Sequence, residues 1–434
     1  MNTPPLVIAM LVMAASLSAQ DAGLAPPAAV NHWQDMRFGL FIHWGPVSLK
    51  GTELSWSRGD QIPTAEYDNL YRQFNPEKFD AEAWALTAKA AGMKYLVLTT
   101  KHHDGFCLWD TKATDYNIMA TPFHRDVVKE LSQACKKHGI AFGAYYSSCD
   151  WHHPAFPLDS PGGKNKKPNP DLKAYDAYLQ QQVAELVTNY GPLCTLWFDG
   201  PQVYGRDFGI PMVKALRQLQ PDLVINNRAY NPTVGGDGVN QNYEVGDFDT
   251  PEQTIGGFQI DRPWETCMTL CNQWAWKPDD AMKPIEQCLR TLVLTIGGDG
   301  NLLFNVGPMA DGRIEERQVA RLKEMGEWVQ QYAEAIYGTR GGPFKPGHGL
   351  AATRKGNSIY LFVMNEAAET LVLPPLPRTV KSATIMGGTG AEFKATADKL
   401  TLSLPAASRR PPITVVKLEL DGSAMDIPAL DLTK

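Results

Sequence analysis

The chain has 434 residues, 44% of them hydrophobic, which is enough for a sizeable core and more than one ordinary domain holds. Its formal net charge of -6, without a block of like charges, argues against nucleic acid or an anionic membrane as partner. Aromatic residues make up 10%, including 11 tryptophans, many of them beside polar residues, as in a site that stacks a ring-shaped ligand.

Residues 6–19 form an apolar run of signal-peptide length, followed by a small-residue stretch ending at Gln20. Residues 1–20 are therefore expected to direct export, secreted or periplasmic, with no other segment long enough to span a bilayer. The seven cysteines (Cys107, Cys135, Cys149, Cys194, Cys267, Cys271, Cys288) are scattered and lack paired CxxC spacing, so a zinc cluster is not expected. Most read as buried thiols, and one disulfide is allowed in an oxidising compartment.

From residue 38 a repeating grammar sets in. A strand at 38–42 runs into His43-Trp44-Gly45, and a helix over 77–92 follows, with apolar positions at helical spacing. The strand at 94–100 runs into Lys101-His102-His103-Asp104-Gly105, the helix at 126–138 is closed by Gly139, and the strand at 140–146 leads to Asp150-Trp151-His152-His153. After a long helix at 172–190, the strand Thr195-Leu196-Trp197-Phe198 ends in Asp199-Gly200-Pro201. A helix at 211–220, a strand at 223–228, a Gly-rich loop at 234–246 and a strand at 264–269 come next. Helix 284–296, strand 301–308 and a long amphipathic helix at 315–337 complete the run.

Strands alternating with helices predict parallel βαβ units, here a (β/α)8-like TIM barrel over 21–342 with one irregular unit in the Gly-rich region or around 250–280. The alternative, an open doubly wound sheet, would carry a GxGxxG turn after its first strand, and none is present. From residue 343 to 434, short strands at 357–363, 370–373, 380–386, 399–404 and 413–420 without helices predict an antiparallel β-sandwich.

In such a barrel the chemistry sits at the carboxyl ends of the strands. That rule gathers His43, His102, His103, Tyr146, Asp199, Arg228 and Glu265 on one face. Two acids on different strands suit glycoside hydrolysis, one as nucleophile or base and the other as proton donor. Histidine, arginine and tryptophan around them suit a polyhydroxylated ring. The adjacent His102 and His103 are both expected in the pocket, because Asp104-Gly105 indicates that the strand has ended, while His152 and His153 read as rim. No metal is expected, since HxH and HExxH spacings are absent. Gly297-Gly298-Asp299-Gly300 lacks the Lys-Ser/Thr of a phosphate loop and reads as a turn. Trp274 and Trp276 fit core or platform equally.

The motifs Phe-Ile-His-Trp-Gly at 41–45, Lys-His-His-Asp-Gly-Phe at 101–106, Tyr-Tyr-Ser at 145–147, Trp-Phe-Asp-Gly at 197–200, Asn-Asn-Arg at 226–228 and Trp-Glu at 264–265 resemble the α-L-fucosidases of glycoside hydrolase family 29. The resemblance runs in order from about residue 33 to about residue 340. It implies a barrel followed by a β-sandwich, and release of terminal α-L-fucose from a fucosylated glycan with retention of configuration and without a cofactor. By the same resemblance Asp199 is the nucleophile, Glu265 the acid/base and Glu53 its alternative. His43, His102, His103, Tyr146 and Arg228 take sugar-binding positions, and Trp56 and Trp274 the aromatic ones. One departure stands out: many members have Glu directly before the tryptophan, whereas here Ser55 intervenes between Leu54 and Trp56. A glycosidase for another sugar such as α-L-galactose and a non-hydrolytic carbohydrate-binding protein are the competing readings.

Overall fold

A computed structural model describes residues 23–160, 166–234, 244–364, 369–388 and 390–432. The expected signal peptide at 1–20 and most of the Gly-rich loop lie outside the described residues. Seven strands, β1 (Phe38–Ile42), β2 (Tyr95–Lys101), β3 (Ala141–Ser147), β4 (Thr195–Asp199), β5 (Val224–Ile225), β6 (Glu265–Thr269) and β7 (Asn301–Val306), form one curled parallel sheet in the order β5-β4-β3-β2-β1-β7-β6. Between β5 and β6, parallel bridges outside the named strands join Asn226 to Phe248, Asp249 to Trp264 and Glu252 to Cys267.

The longer helices are α1 (Pro27–Asp35), α2 (Ala81–Ala90), α3 (Val127–His138), α4 (Leu172–Asn189), α5 (Arg206–Leu219), α6 (Ile285–Gly297) and α7 (Glu316–Gln331). Asp80, Asp126 and Asp171 cap α2, α3 and α4 by accepting the backbone N–H three residues on, which is why these helices start where they do. Gly139 ends α3 in the left-handed region, at φ 71°.

Period-two alternation sorts the sheet's side chains. Leu40, Ile42, Leu96, Leu98, Phe142, Ala144, Leu196, Phe198 and Phe304 belong to the core shared with the helices. Phe41, Tyr95, Val97, Tyr145, Trp197, Cys267 and Leu303 form a second cluster on the opposite face. Gly39 lies level with Tyr95, and a Cβ there would come within 2.5 Å of the Tyr95 ring, so the glycine leaves that ring its space.

Several boundaries differ from expectation for physical reasons. Strand β5 stops after two residues because the Asn226 amide takes over the pairing: its Oδ1 accepts the Phe198 N–H at 2.9 Å and its Nδ2 donates to the Phe198 carbonyl at 2.8 Å. Helix α5 begins at Arg206 and carries Pro211 inside it rather than starting there. The last long helix breaks at Tyr332 before a single turn at Ala333–Ile336.

The remaining strands are β8 (Arg340–Gly341), β9 (Leu350–Lys355), β10 (Ser358–Val363), β11 (Thr370–Leu373), β12 (Val380–Ile385), β13 (Phe393–Ala395), β14 (Leu400–Ser403) and β15 (Thr414–Leu420). They form antiparallel sheets of five (β12-β15-β10-β9-β8) and three strands (β11-β14-β13). Ile359, Leu361, Leu402, Val416 and Leu418 head a hydrophobic core of their own there. Three strands, β8, β9 and β13, were not anticipated. The buried Arg37 ties the parts together: it pairs with Asp299 at 2.6 Å and donates to the Thr339 carbonyl, while Asp299 also accepts the Gly341 N–H at 2.8 Å. All seven cysteines are free thiols. Among the described residues no helix is long and apolar enough to cross a membrane.

Candidate active site

A cavity of about 270 Å³ opens where β1, β2 and β4 end, lined by His43, Trp56, His102, His103, Tyr145, Asp199, Arg228, Glu252 and Trp274 among others. Asp199 is the last residue of β4. Its Oδ1 accepts the Gly200 N–H at 2.8 Å and Arg228 Nη1 at 2.9 Å, and its Oδ2 accepts the Tyr145 hydroxyl at 2.8 Å. Burial alone would raise its pKa, but the positive charge of Arg228 and the Tyr145 hydroxyl outweigh that and hold it at about 2. The group is therefore an ionised carboxylate, fixed in place and facing the cavity.

The three histidines are each tied back through Nδ1, which assigns their tautomers. Asn305 turns its Oδ1 to His43 Nδ1 at 2.7 Å because its Nδ2 donates to the Trp274 carbonyl, so His43 presents an unprotonated Nε2. Burial pushes His43 down to about 3, which keeps it neutral. Ser147 gives its proton to the Cys149 carbonyl at 2.7 Å, so His103 Nδ1 donates to Ser147 Oγ at 2.7 Å and its Nε2 is also an acceptor, 3.7 Å from Asp199 Oδ2. Ser55 Oγ accepts the Asp104 N–H at 2.9 Å and faces His102 Nδ1 at 2.6 Å, so its proton goes to His102, whose Nε2–H becomes a donor. Two acceptors and one donor from neutral rings, beside a carboxylate and a guanidinium, match a cluster of sugar hydroxyls.

The bulge at the end of β2, where the register with β3 shifts between Thr99 and Lys101, lies immediately before His102 and His103, whose rings sit 4.1 Å apart on the cavity wall. His102, His103 and Asp199 offer one ligand atom each within 4.8 Å of one another. The charge of Arg228 on Asp199 opposes a dication there.

Three expected site residues sit elsewhere. Glu265 is the first residue of β6, not its end, and lies fully buried at the opposite pole of the sheet, bonded to Tyr95 and Trp197. Tyr146 points to the helix side and donates to Gln182 at 2.9 Å, while its neighbour Tyr145 faces the cavity, level with Trp197. Glu53 spends its carboxylate on the backbone N–H groups of Leu54, Trp274 and Ala275, at 3.0, 2.9 and 2.9 Å, and so holds the Trp274 loop rather than lining the cavity. Burial raises its pKa despite those bonds. His43, His102, His103, Arg228, Trp56 and Trp274 all line the cavity as expected. Trp56 is 48% exposed at the rim, edge-on to His103.

Glu252 had not been expected in the site. It follows no strand motif and enters from the irregular segment that bridges to Cys267. Its Oε2 accepts both Arg228 Nη1 and Nη2 at 3.1 Å. Asp199 Oδ1 sits on the same Nη1 at 2.9 Å, so the two carboxylate oxygens lie within about 6 Å of one another.

The α-L-fucosidase family model matches residues 14–334 of this chain. The chain is 32% identical over 335 residues to the plasma α-L-fucosidase of Pongo abelii, covering 71% of this chain and 69% of that protein. Among solved structures, α-L-fucosidase isoenzyme 1 from Paenibacillus thiaminolyticus superposes with a TM-score of 0.81 at 34% identity, covering 91% of this chain and 99% of that one. A family 29 α-L-fucosidase from Bacteroides thetaiotaomicron, solved as a trapped covalent intermediate with 2-fluoro-fucosyl fluoride, superposes with a TM-score of 0.81 at 28% identity, covering 92% and 98%. With the cavity, its carboxylates and its histidines in place, these matches establish that the chain belongs to the α-L-fucosidase family.

Proposed function

We propose that the chain is a retaining α-L-fucosidase in which Asp199 attacks the anomeric carbon and Glu252, rather than Glu265 or Glu53, serves as general acid and base. The observation that carries this is the single guanidinium of Arg228 holding both carboxylates over one cavity. Double displacement needs two carboxyl groups about 5–5.5 Å apart, and the shared nitrogen supports that spacing. In the first step Glu252, entering with a proton on the carboxyl oxygen that Arg228 does not hold, protonates the departing oxygen as Asp199 forms the glycosyl ester. Esterification removes one of Arg228's two carboxylate partners and leaves its charge to Glu252, whose carboxylate then takes a proton from the attacking water. His43, His102 and His103 orient the sugar hydroxyls, with Trp56 and Trp274 as aromatic walls.

The same reading extends to architecture and location. The bridges through Phe248 and Asp249 support an irregular eighth strand closing a (β/α)8-like barrel, and the separate core supports a β-sandwich from about residue 343 onward. The apolar run at 6–19 supports export. The product of an aryl α-L-fucoside, followed by NMR, is expected to be the α-anomer before mutarotation. Appearance of the β-anomer first would contradict double displacement. The aryl α-L-galactoside, larger by one hydroxyl, should be hydrolysed about 10–200-fold less efficiently.

A further inference from the structure

Glu265 is completely buried and does not line the cavity, and yet its two oxygens are committed: Oε1 accepts Trp197 Nε1–H at 3.0 Å and Oε2 meets the Tyr95 hydroxyl. Trp197 is the floor on which the catalytic carboxylate's partners rest. The guanidinium of Arg228 lies 4.8 Å from its ring centroid, and the Tyr145 ring stacks on it at 5.6 Å and 21°. Those are the two side chains that bond Asp199, one at each oxygen.

We propose that Glu265 is a positioning residue for the fucosidase reaction, fixing the Trp197 indole so that Arg228 and Tyr145 hold Asp199 at the angle of attack. A methionine-sized apolar side chain would fill the same space but leave the indole N–H and the Tyr95 hydroxyl without their partner, and the indole free to tilt. Burial pushes the Glu265 carboxyl up to about 8, and the groups facing it, Tyr95, Trp197, Cys194 and Cys267, bring it no cation. The Tyr95 hydroxyl donates to Glu265 Oε2. The Asn301 side-chain amide bonds the Tyr95 phenolic oxygen as donor, and its Nδ2 also donates to the Trp33 carbonyl at 2.9 Å. Asn301 stands directly beside Glu265 in the β6–β7 register. Glutamine keeps an oxygen for the Trp197 indole N–H and an amide that meets the Tyr95 oxygen, which an apolar residue cannot.

The test compares Glu265→Gln and Glu265→Met on aryl fucosides with good and poor leaving groups, with circular dichroism to establish folding. Glu265→Gln should keep kcat within about threefold and leave the leaving-group dependence unchanged. Glu265→Met should lose about 10²-fold in kcat with KM within about threefold, the mark of a misplaced reacting group rather than a lost binding contact. A folded Glu265→Met variant with the wild-type kcat would overturn the proposal. So would a Glu265→Gln variant that loses two orders of magnitude, an outcome that remains decisive if the methionine variant does not fold. The proposal rests on Asp199 as nucleophile, and the two fail separately: chemical rescue at position 199 reports on the nucleophile whatever happens at 265, and the glutamine–methionine contrast reports on the floor whichever carboxylate attacks.

Discussion

Replacing Asp199 with glycine is expected to lower kcat on an aryl α-L-fucoside by about 10³-fold or more, with the fold intact. The reason is chemical, because no other described carboxylate is held ionised against the cavity by a cation and a phenol together. The vacated space beside Arg228 and His103 suits a small anion, so azide should restore turnover. Azide enters from the face that Asp199 occupied and so yields the inverted β-L-fucosyl azide. Rescue giving the α-azide, or no rescue in a folded protein, would place the nucleophile elsewhere.

Glu252→Ala carries the second large effect, and its signature is selective. A general acid contributes about 10²–10⁴-fold where the leaving group needs a proton, and little where it does not. Poor leaving groups should therefore slow by that factor, while an activated dinitrophenyl fucoside should form the glycosyl-enzyme at close to the wild-type rate and then stall for want of a base. A burst of phenolate followed by slow turnover is expected, with azide now giving the retained α-L-fucosyl azide. Equal slowing of good and poor leaving groups would remove Glu252 from the role and return attention to Glu53, whose carboxylate would have to leave three backbone N–H groups to reach the sugar.

The way Glu252 escaped notice, and Glu265 was chosen in its place, shows what a sequence conveys about such a site. Strand ends carrying His43, His102, His103 and Asp199 were legible because each closes a short apolar run before Gly or a polar turn, and the structure sets all four on one cavity. The strand expected at 264–269 already put Glu265 at its start, and a parallel strand that begins with the acid carries it to the far pole. Glu252 lies in a segment held by isolated bridges and an ion pair, with no periodicity to mark it. Parity explains the other error. Tyr145 and Tyr146 are equivalent in composition, and only the register Tyr145 to Trp197 and Ser147 to Asp199, a long-range fact, decides which of them faces the cavity. Ser55, which had stood out as a departure, proved to be the hydroxyl that sets the His102 tautomer.

The central claim is that Asp199 forms a covalent bond to fucose within reach of Glu252. The most direct measurement is mass-spectrometric peptide mapping after inactivation with 2-fluoro-fucosyl fluoride. The account predicts a single 2-fluoro-fucosyl adduct on the peptide containing Asp199, its loss in Asp199→Gly and its faster turnover in the presence of azide. An adduct on Glu252, on Glu265 or on any other residue would contradict it.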